Sequence, residues 1–287
     1  MSPRWTFTSC TRRRRGKVKT SKALAIPYIV WILIFTVIPL GLVVVFALTD
    51  SDGGFTLQNL FDMSSYMAVL FRSIIFAMIA TVICLVLAFP AAYFISRARS
   101  FNQSTLIVFI MVPMWISFIL RTYAWMTLLE PNGLINRFLG LFGIGPLNLI
   151  NNAGAVILGM VYNYLPFMIL PLYSVMVKID QSVIEAAQDL GSSRLSLVRR
   201  VILPLSMPGI NTGIIAVFIP SVSTFVISRM LGGGTNDLIG DLIESQFLGA
   251  SYNPHLGSAM ALVLMVVVLF MMSLFNQFGS EEEGTMI

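Results

Sequence analysis

Six long apolar runs set the terms on which this chain can fold. They cover approximately Ala23–Leu48, Tyr66–Ile95, Leu106–Leu129, Ala153–Met176, Gly209–Leu231 and Leu256–Phe275. A helix crossing a bilayer core needs about 20 apolar residues, and each run meets that mark. Lipid offers the backbone no hydrogen-bond partners, so a run of this kind folds as a helix that satisfies its own N–H and C=O groups. Composition agrees, with 57% hydrophobic and 11% charged residues and a mean hydropathy of +0.86. A soluble domain carries about 25% charged residues. The expected fold class is an all-α membrane protein of six transmembrane helices.

The distribution of charge orients those helices. Eight of the eighteen Lys and Arg residues precede Ala23, with no acid among them. A basic head before an apolar span reads as a cytoplasmic anchor on anionic lipid rather than as a nucleic-acid site. The first run is too long for a signal-peptide core and lacks a convincing small-residue cleavage site, so it is expected to remain as a span. With the head inside, Asp50, Asp52 and Asp62 fall outside and Arg97 and Arg99 inside. Lys178, Arg194, Arg199 and Arg200 fall inside, and Asp237, Asp241 and Glu244 lie in the last outer loop beside Arg229. Both termini are expected in the cytoplasm and the protein in the cell membrane. Three parts follow: a basic segment 1–22, a membrane domain 23–276 and an acidic tail 277–287.

Between the fourth and fifth runs the sequence changes character, reading DQSVIEAAQDLGSSRLSLVRRVILPLSMPGI from Asp180 to Ile210. Val183, Ile184, Ala187 and Leu190 recur at helical spacing. Asp180 is placed to cap that helix and Gly191 to end it through the left-handed backbone that glycine accepts. Ser192 or Ser193 can start a second short helix carrying Leu195, Val198 and Ile202, which Pro204 is expected to stop. Two amphipathic helices at a glycine corner, too short to span, make a knob suited to receiving force from another protein. The plainer reading is an interfacial helical hairpin.

The residues Glu185-Ala186-Ala187, Gly191 and Leu203-Pro204 resemble the EAA loop of the membrane subunits of ABC importers, with Val201 where that pattern has isoleucine. The loop, residues 180–208, sits inside and two spans before the end, where such importers place it. Ser117–Asn136, Gly159–Asp180 and Leu231–Leu248 are similar to the spermidine/putrescine permease branch of these importers. The resemblance implies the type I ABC importer permease fold, with its core at about 66–276. It further implies a second, different permease subunit, two ATPase subunits and an extracytoplasmic polyamine-binding protein. Polyamines would cross the membrane and the EAA loop would couple that movement to the ATPase. No cofactor is expected on this chain, since ATP and Mg belong to the ATPase.

Polar and aromatic groups inside the runs are the candidate pathway: Tyr123 and Trp125, Tyr162, Asn163 and Tyr164, and Ser223 and Thr224. Aromatic faces attract cations, although such rings also populate the interfacial belt. Arg72 and Arg121 have two readings, reaching the outer interface or facing protein or water. No acid is expected at the centre of any span, so a polycation would draw on aromatic faces, a partner subunit or the outer acids Asp237, Asp241 and Glu244. Those acids read equally as a solvated face. Six prolines, Pro39, Pro90, Pro113, Pro166, Pro171 and Pro220, interrupt the runs and are candidate kinks.

Enzymatic readings fail for want of parts. The phosphate-loop pattern GxxxxGK[ST] is absent, and one histidine, His255, with Cys10 and Cys84 at different depths offers neither a metal set nor a disulfide framework. No catalytic residue and no metal are expected. The nearest alternative is an importer permease for another small organic cation or amino-acid-like solute. An ion-driven secondary carrier would place an ionisable group at the midplane, and none is found. A non-transporting scaffold would not require the EAA loop.

Overall fold

Residues 26–50, 52–249 and 251–283 are described by the structure, a computed structural model, so the basic segment 1–22 and the end of the tail lie outside it. The described residues are helical throughout, apart from connecting loops and one isolated bridge between Thr49 and Phe55. Packing divides the chain into a unit ending at Leu42 and a unit beginning at Val43. The first apolar run forms helix α1, Pro27–Ala47, with a π turn at Leu33–Val37.

Within the second unit, three helices make the core: α2 (Met67–Arg97), α5 (Ala153–Met176) and α8 (Met207–Val222). Two further helices, α3 (Ser100–Met111) and α4 (Phe118–Leu129), lie between the first two in sequence. A stripe of small residues on α2, namely Ala80, Cys84, Ala88 and Ala92, is fully buried and packs in one cluster with Val156, Met160, Met168 and Leu172 of α5. Small side chains let helix backbones approach closely where lipid provides no hydrophobic drive. Gly209 and Gly213 serve α8 in the same way. A Cβ on Gly209 would stand 2.9 Å from the Pro171 carbonyl, and one on Gly213 would stand 2.5 Å from the Met168 sulfur.

The fourth run becomes α5 over the expected residues, capped by Asn152, whose side chain accepts from the Ala155 N–H at 2.9 Å. The second run begins and ends within two residues of expectation. The last forms α11 (Pro254–Glu283), which outlasts its apolar run, with Asn253 capping it at 3.2 Å.

Two runs depart from a single straight helix. The third is expected over Leu106–Leu129, yet the chain bends by 86° between Phe101–Trp115 and Phe118–Gly140. Pro113 lacks an N–H, and Ile116 and Ser117 take extended backbone. The fifth is expected over Gly209–Leu231, yet α8 stops at Val222 and a separate helix, α9, takes up Val226–Leu231. Pro220 removes one donor, and the Ser223 hydroxyl donates to the Ile219 carbonyl at 3.1 Å, competing with the helical ladder. Among the described residues, four helices are therefore long and apolar enough to cross a membrane, or up to six spans if each bent pair counts as one.

Candidate coupling loop and pathway

The knob after α5 is two helices, α6 (Gln181–Asp189) and α7 (Arg194–Leu205). The Asp180 carboxylate accepts from the Ser182 N–H at 3.2 Å and starts α6. Gly191 ends it at φ +80°, its N–H donating to Gln188 while the Ser192 N–H reaches the Ala187 carbonyl at 3.1 Å. That bond pair is a Schellman motif, whose left-handed residue favours glycine. Ser193, one of the two expected serines, caps α7 by accepting from Ser196 at 3.3 Å.

Pro204 does not stop the second helix. The chain passes through a π turn at Val198–Ile202, which accommodates the missing N–H, and breaks instead at Ser206, where the axis turns by 70° into α8. Ser206 is buried and its hydroxyl donates to the Ile202 carbonyl at 2.7 Å. Ile184 and Leu197 anchor the knob in the core, and Ala187 packs against it. Leu190 also departs from expectation: it is 88% exposed rather than on the packed stripe, and Leu195 is 78% exposed. Glu185 and Ala186 are exposed, Pro204 is partly buried and Leu203 is on the surface. Beside them, Ser193, Leu195, Ser196, Arg199 and Arg200 line an open cavity of about 490 Å³.

Arg97, the last residue of α2, holds the knob from behind. Its guanidinium donates to the carbonyls of Ile179 at 3.2 Å and Met176 at 3.4 Å and reaches the Gln181 side chain at 3.5 Å. A cation at the last carbonyls of α5 also suits the helix dipole. Sequence placed Arg97 inside but gave no sign of these contacts, which join residues some eighty positions apart.

The candidate pathway residues separate into two groups. Trp125 and Tyr162 meet edge to face at 5.3 Å. Asn163 is buried, donating to the Gly159 carbonyl at 2.9 Å and approaching the Thr122 hydroxyl at 3.5 Å. Tyr164 stacks on Phe118 at 6.3 Å and donates to the Pro220 carbonyl at 3.3 Å, tying α5 to α8 just before the break that holds Ser223 and Thr224. Thr224 is buried, Ser223 exposed, and Tyr123 stands half exposed outside both groups. Arg121 is 9% exposed and lies over the Phe118 ring at 5.9 Å, so it faces protein.

Asp237, Asp241 and Glu244 do not form a uniformly solvated face. Helix α10 (Ile239–Leu248) follows the loop after α9, and Asp241 in its first turn is 5% exposed, its carboxylate accepting from the Leu238 N–H at 2.8 Å. Burial pushes the Asp241 carboxyl above the usual carboxylate range, against the lowering influence of the neighbouring Ser228 hydroxyl and the Leu238 N–H. Glu244 pairs with Arg229 through contacts of 2.5 and 3.1 Å. Asp237 lines a cavity of about 270 Å³ with Arg229 and Asp241. Arg72 donates to the backbone carbonyls of Asp237 and Thr235, another contact across the sequence that its position did not reveal.

Residues 20–279 match the family of binding-protein-dependent transport system inner membrane components. The chain belongs to that family and is a transport subunit rather than a catalyst. It is 36% identical over 255 residues to the spermidine/putrescine transport system permease protein PotB of Escherichia coli K12, covering 85% of this chain and 92% of that one. The protein of the same name in Haemophilus influenzae is 36% identical over 253 residues, covering 84% and 88%. The inner membrane ABC transporter permease protein YdcU of Escherichia coli K12 is 30% identical over 238 residues, covering 78% and 75%. Among solved structures, a bacterial ABC transporter involved in the import of the acidic polysaccharide alginate superposes with a TM-score of 0.77 at 17% identity, covering 91% of this chain and 94% of that one. The fold is that of the type I ABC importer permeases.

Proposed function

We propose that this chain forms one half of the membrane pathway of an ATP-driven importer of polyamines, spermidine or putrescine. The observation that carries the reading is the 36% identity spread over 92% of a permease named for those substrates. The partner set is a second, different permease, two ATPase subunits that hold ATP and Mg, and an extracytoplasmic polyamine-binding protein. Both termini and the loop between α5 and α8 face the cytoplasm, with the outer acids opposite.

In this reading the loaded binding protein docks outside and ATP draws the two motors together. The exposed parts of α6 and α7, with Glu185, Ala186, Ala187, Gly191, Leu203 and Pro204, take that motion from the ATPase. The α5–α8 tie at Tyr164 carries it to the break at Ser223–Thr224. The ring pair Trp125–Tyr162, with Tyr123 and Asn163 on the same two helices, offers π faces and an amide to an ammonium group without a fixed carboxylate.

The test is ATP hydrolysis by the reconstituted complex with its binding protein as spermidine, and then putrescine, is added. Stimulation supports both the coupling and the substrate class. Silence with polyamines and stimulation by another small organic cation would keep the importer and discard the polyamine.

A further inference from the structure

Helix α2 runs unbroken from Met67 to Arg97 through Pro90, and it carries an arginine near each end. Arg72 and Arg97 are 25 residues apart in that helix. At 3.6 residues per turn this is close to seven whole turns, so both lie on nearly the same face, about 37 Å apart along the axis. That separation exceeds a hydrocarbon core of about 30 Å.

Each arginine grips backbone carbonyls of a loop, and the two loops lie at opposite ends of the helix. At one end Arg97 holds Met176 and Ile179, the residues through which α5 passes into the knob, and also reaches Gln181 at the start of α6. At the other, Arg72 holds Thr235 and Asp237 in the loop before α10. The neighbouring Ser73 hydroxyl accepts from the Ile239 N–H at 2.8 Å. Neither guanidinium forms an ion pair among the described residues. Their bonds go to main chain or to a neutral amide, so they fix the position of backbone rather than balance a charge. Between the two grips, the buried small-residue stripe of α2 seats the helix against α5. A packed helix resists compression along its axis, since interiors transmit strain rather than absorb it.

We propose that α2 is a rod that carries movement of the coupling loop to the loop before α10, with Arg97 and Arg72 as its two positioning grips. The proposal rests on the coupling reading given above. In the rod, displacement of α6 by the ATPase pulls on Arg97, shifts α2 along its axis and moves residues 235–239 at the far end. The reverse path carries docking of the binding protein to the knob.

The experiment is a double-mutant cycle in the reconstituted complex, reading the stimulation of ATP hydrolysis by the loaded binding protein and, separately, the basal rate. R97Q and R72Q are each expected to lower stimulation about fivefold or more, the lower end of a typical coupling between sites. Assembly and basal hydrolysis should persist. R97Q/R72Q together should be no worse than the weaker single variant, because a rod cut once is already cut. R97K and R72K, which keep the charge with fewer donors, should recover part of the stimulation. If R97Q prevents assembly, the cycle is run with the two lysine variants, and the same non-additivity is expected.

Unchanged stimulation in assembled single variants overturns the rod, as do defects that multiply in the double. If the native complex shows no stimulation by any loaded binding protein, the coupling reading itself falls, which is a different outcome from native stimulation that the variants leave intact.

Discussion

The knob formed by α6 and α7 and the loop leading into α10 are built alike and finished differently. Each starts a helix with a carboxylate that accepts a backbone N–H, Asp180 in one and Asp241 in the other. Each is held by an arginine of α2. The loop before α10 instead buries Asp241 and pairs Glu244 with Arg229. The knob leaves Leu190 and Leu195 in the open and has no ion pair among the described residues. Exposed leucines at a glycine corner leave apolar surface uncovered, whereas paired charges and a buried cap hold a loop in shape. The difference separates a corner whose apolar surface stays open from a loop whose charges are paired or buried.

The largest expected break in this comparison is at Gly191. Valine there would have to adopt φ +80°, which costs about 1–2 kcal/mol for a residue with a Cβ and more when branched. G191V should therefore abolish substrate-stimulated hydrolysis or detach the ATPase; normal uptake in that variant would remove the knob from the coupling role. Next comes the pair L190D/L195D, which places charge on the exposed surface without touching the core. Copurification of the ATPase should fall by about tenfold, equivalent to roughly 1.4 kcal/mol of docking energy, and retention at the native level would leave those leucines as ordinary surface.

The loop before α10 should respond through stability instead. D241A strands the buried Leu238 N–H, at a cost of about 1–3 kcal/mol. D241N keeps an acceptor and should lose less. The midpoint of thermal unfolding of the purified complex distinguishes them, and equal losses would show that the cap is unimportant.

Acidity sharpens the same point. Because burial raises the Asp241 carboxyl above its unfolded value, its contribution is fully present below the ordinary carboxylate pKa and is lost as pH rises through the folded value. D241N lacks that step, so its deficit relative to the native chain should shrink as pH rises through this window. The smallest effect is expected for E244Q, since Arg229 is 54% exposed and such surface pairs contribute below about 1 kcal/mol. A stability loss in this variant that persists at high salt would mean the pair is more than a surface contact.

Much of the architecture was readable from residue order. The run Ala153–Met176 became a helix over its whole expected length despite Pro166 and Pro171, because a cap at Asn152 and continuous apolar residues settle such an element locally. The corner at Gly191 and the cap at Asp180 were equally plain, since each depends on residues within a turn of one another, while the second cap was narrowed to Ser192 or Ser193 and the structure takes Ser193. The bend after Trp115, the passage through Pro204 and the break after Val222 were not. Prolines occur in both straight and broken helices here, and neighbouring packing decides which of them yields.

The fates of the candidate residues divide on the same line. Tyr162, Asn163 and Tyr164 are consecutive, and sequence marked them as a group. The structure sends Tyr162 to Trp125, Asn163 towards Thr122 and Tyr164 to Pro220, because successive residues of a helix point about 100° apart and meet different neighbours. Likewise Asp237, Asp241 and Glu244 looked like one acidic face and became a cavity lining, a cap and an ion pair.

By itself the sequence determined that this chain is a helical membrane protein with a glycine-cornered knob between its fourth and fifth apolar runs. Hydropathy and capping act over a few residues or one helix, and they are written in residue order. Only the tertiary structure decided where runs bend, which acids are buried and what Arg72 and Arg97 hold. The holds of Arg72 and Arg97 depend on contacts across 79 or more residues, and such contacts exist only once α2 has packed against α5 and the loop before α10.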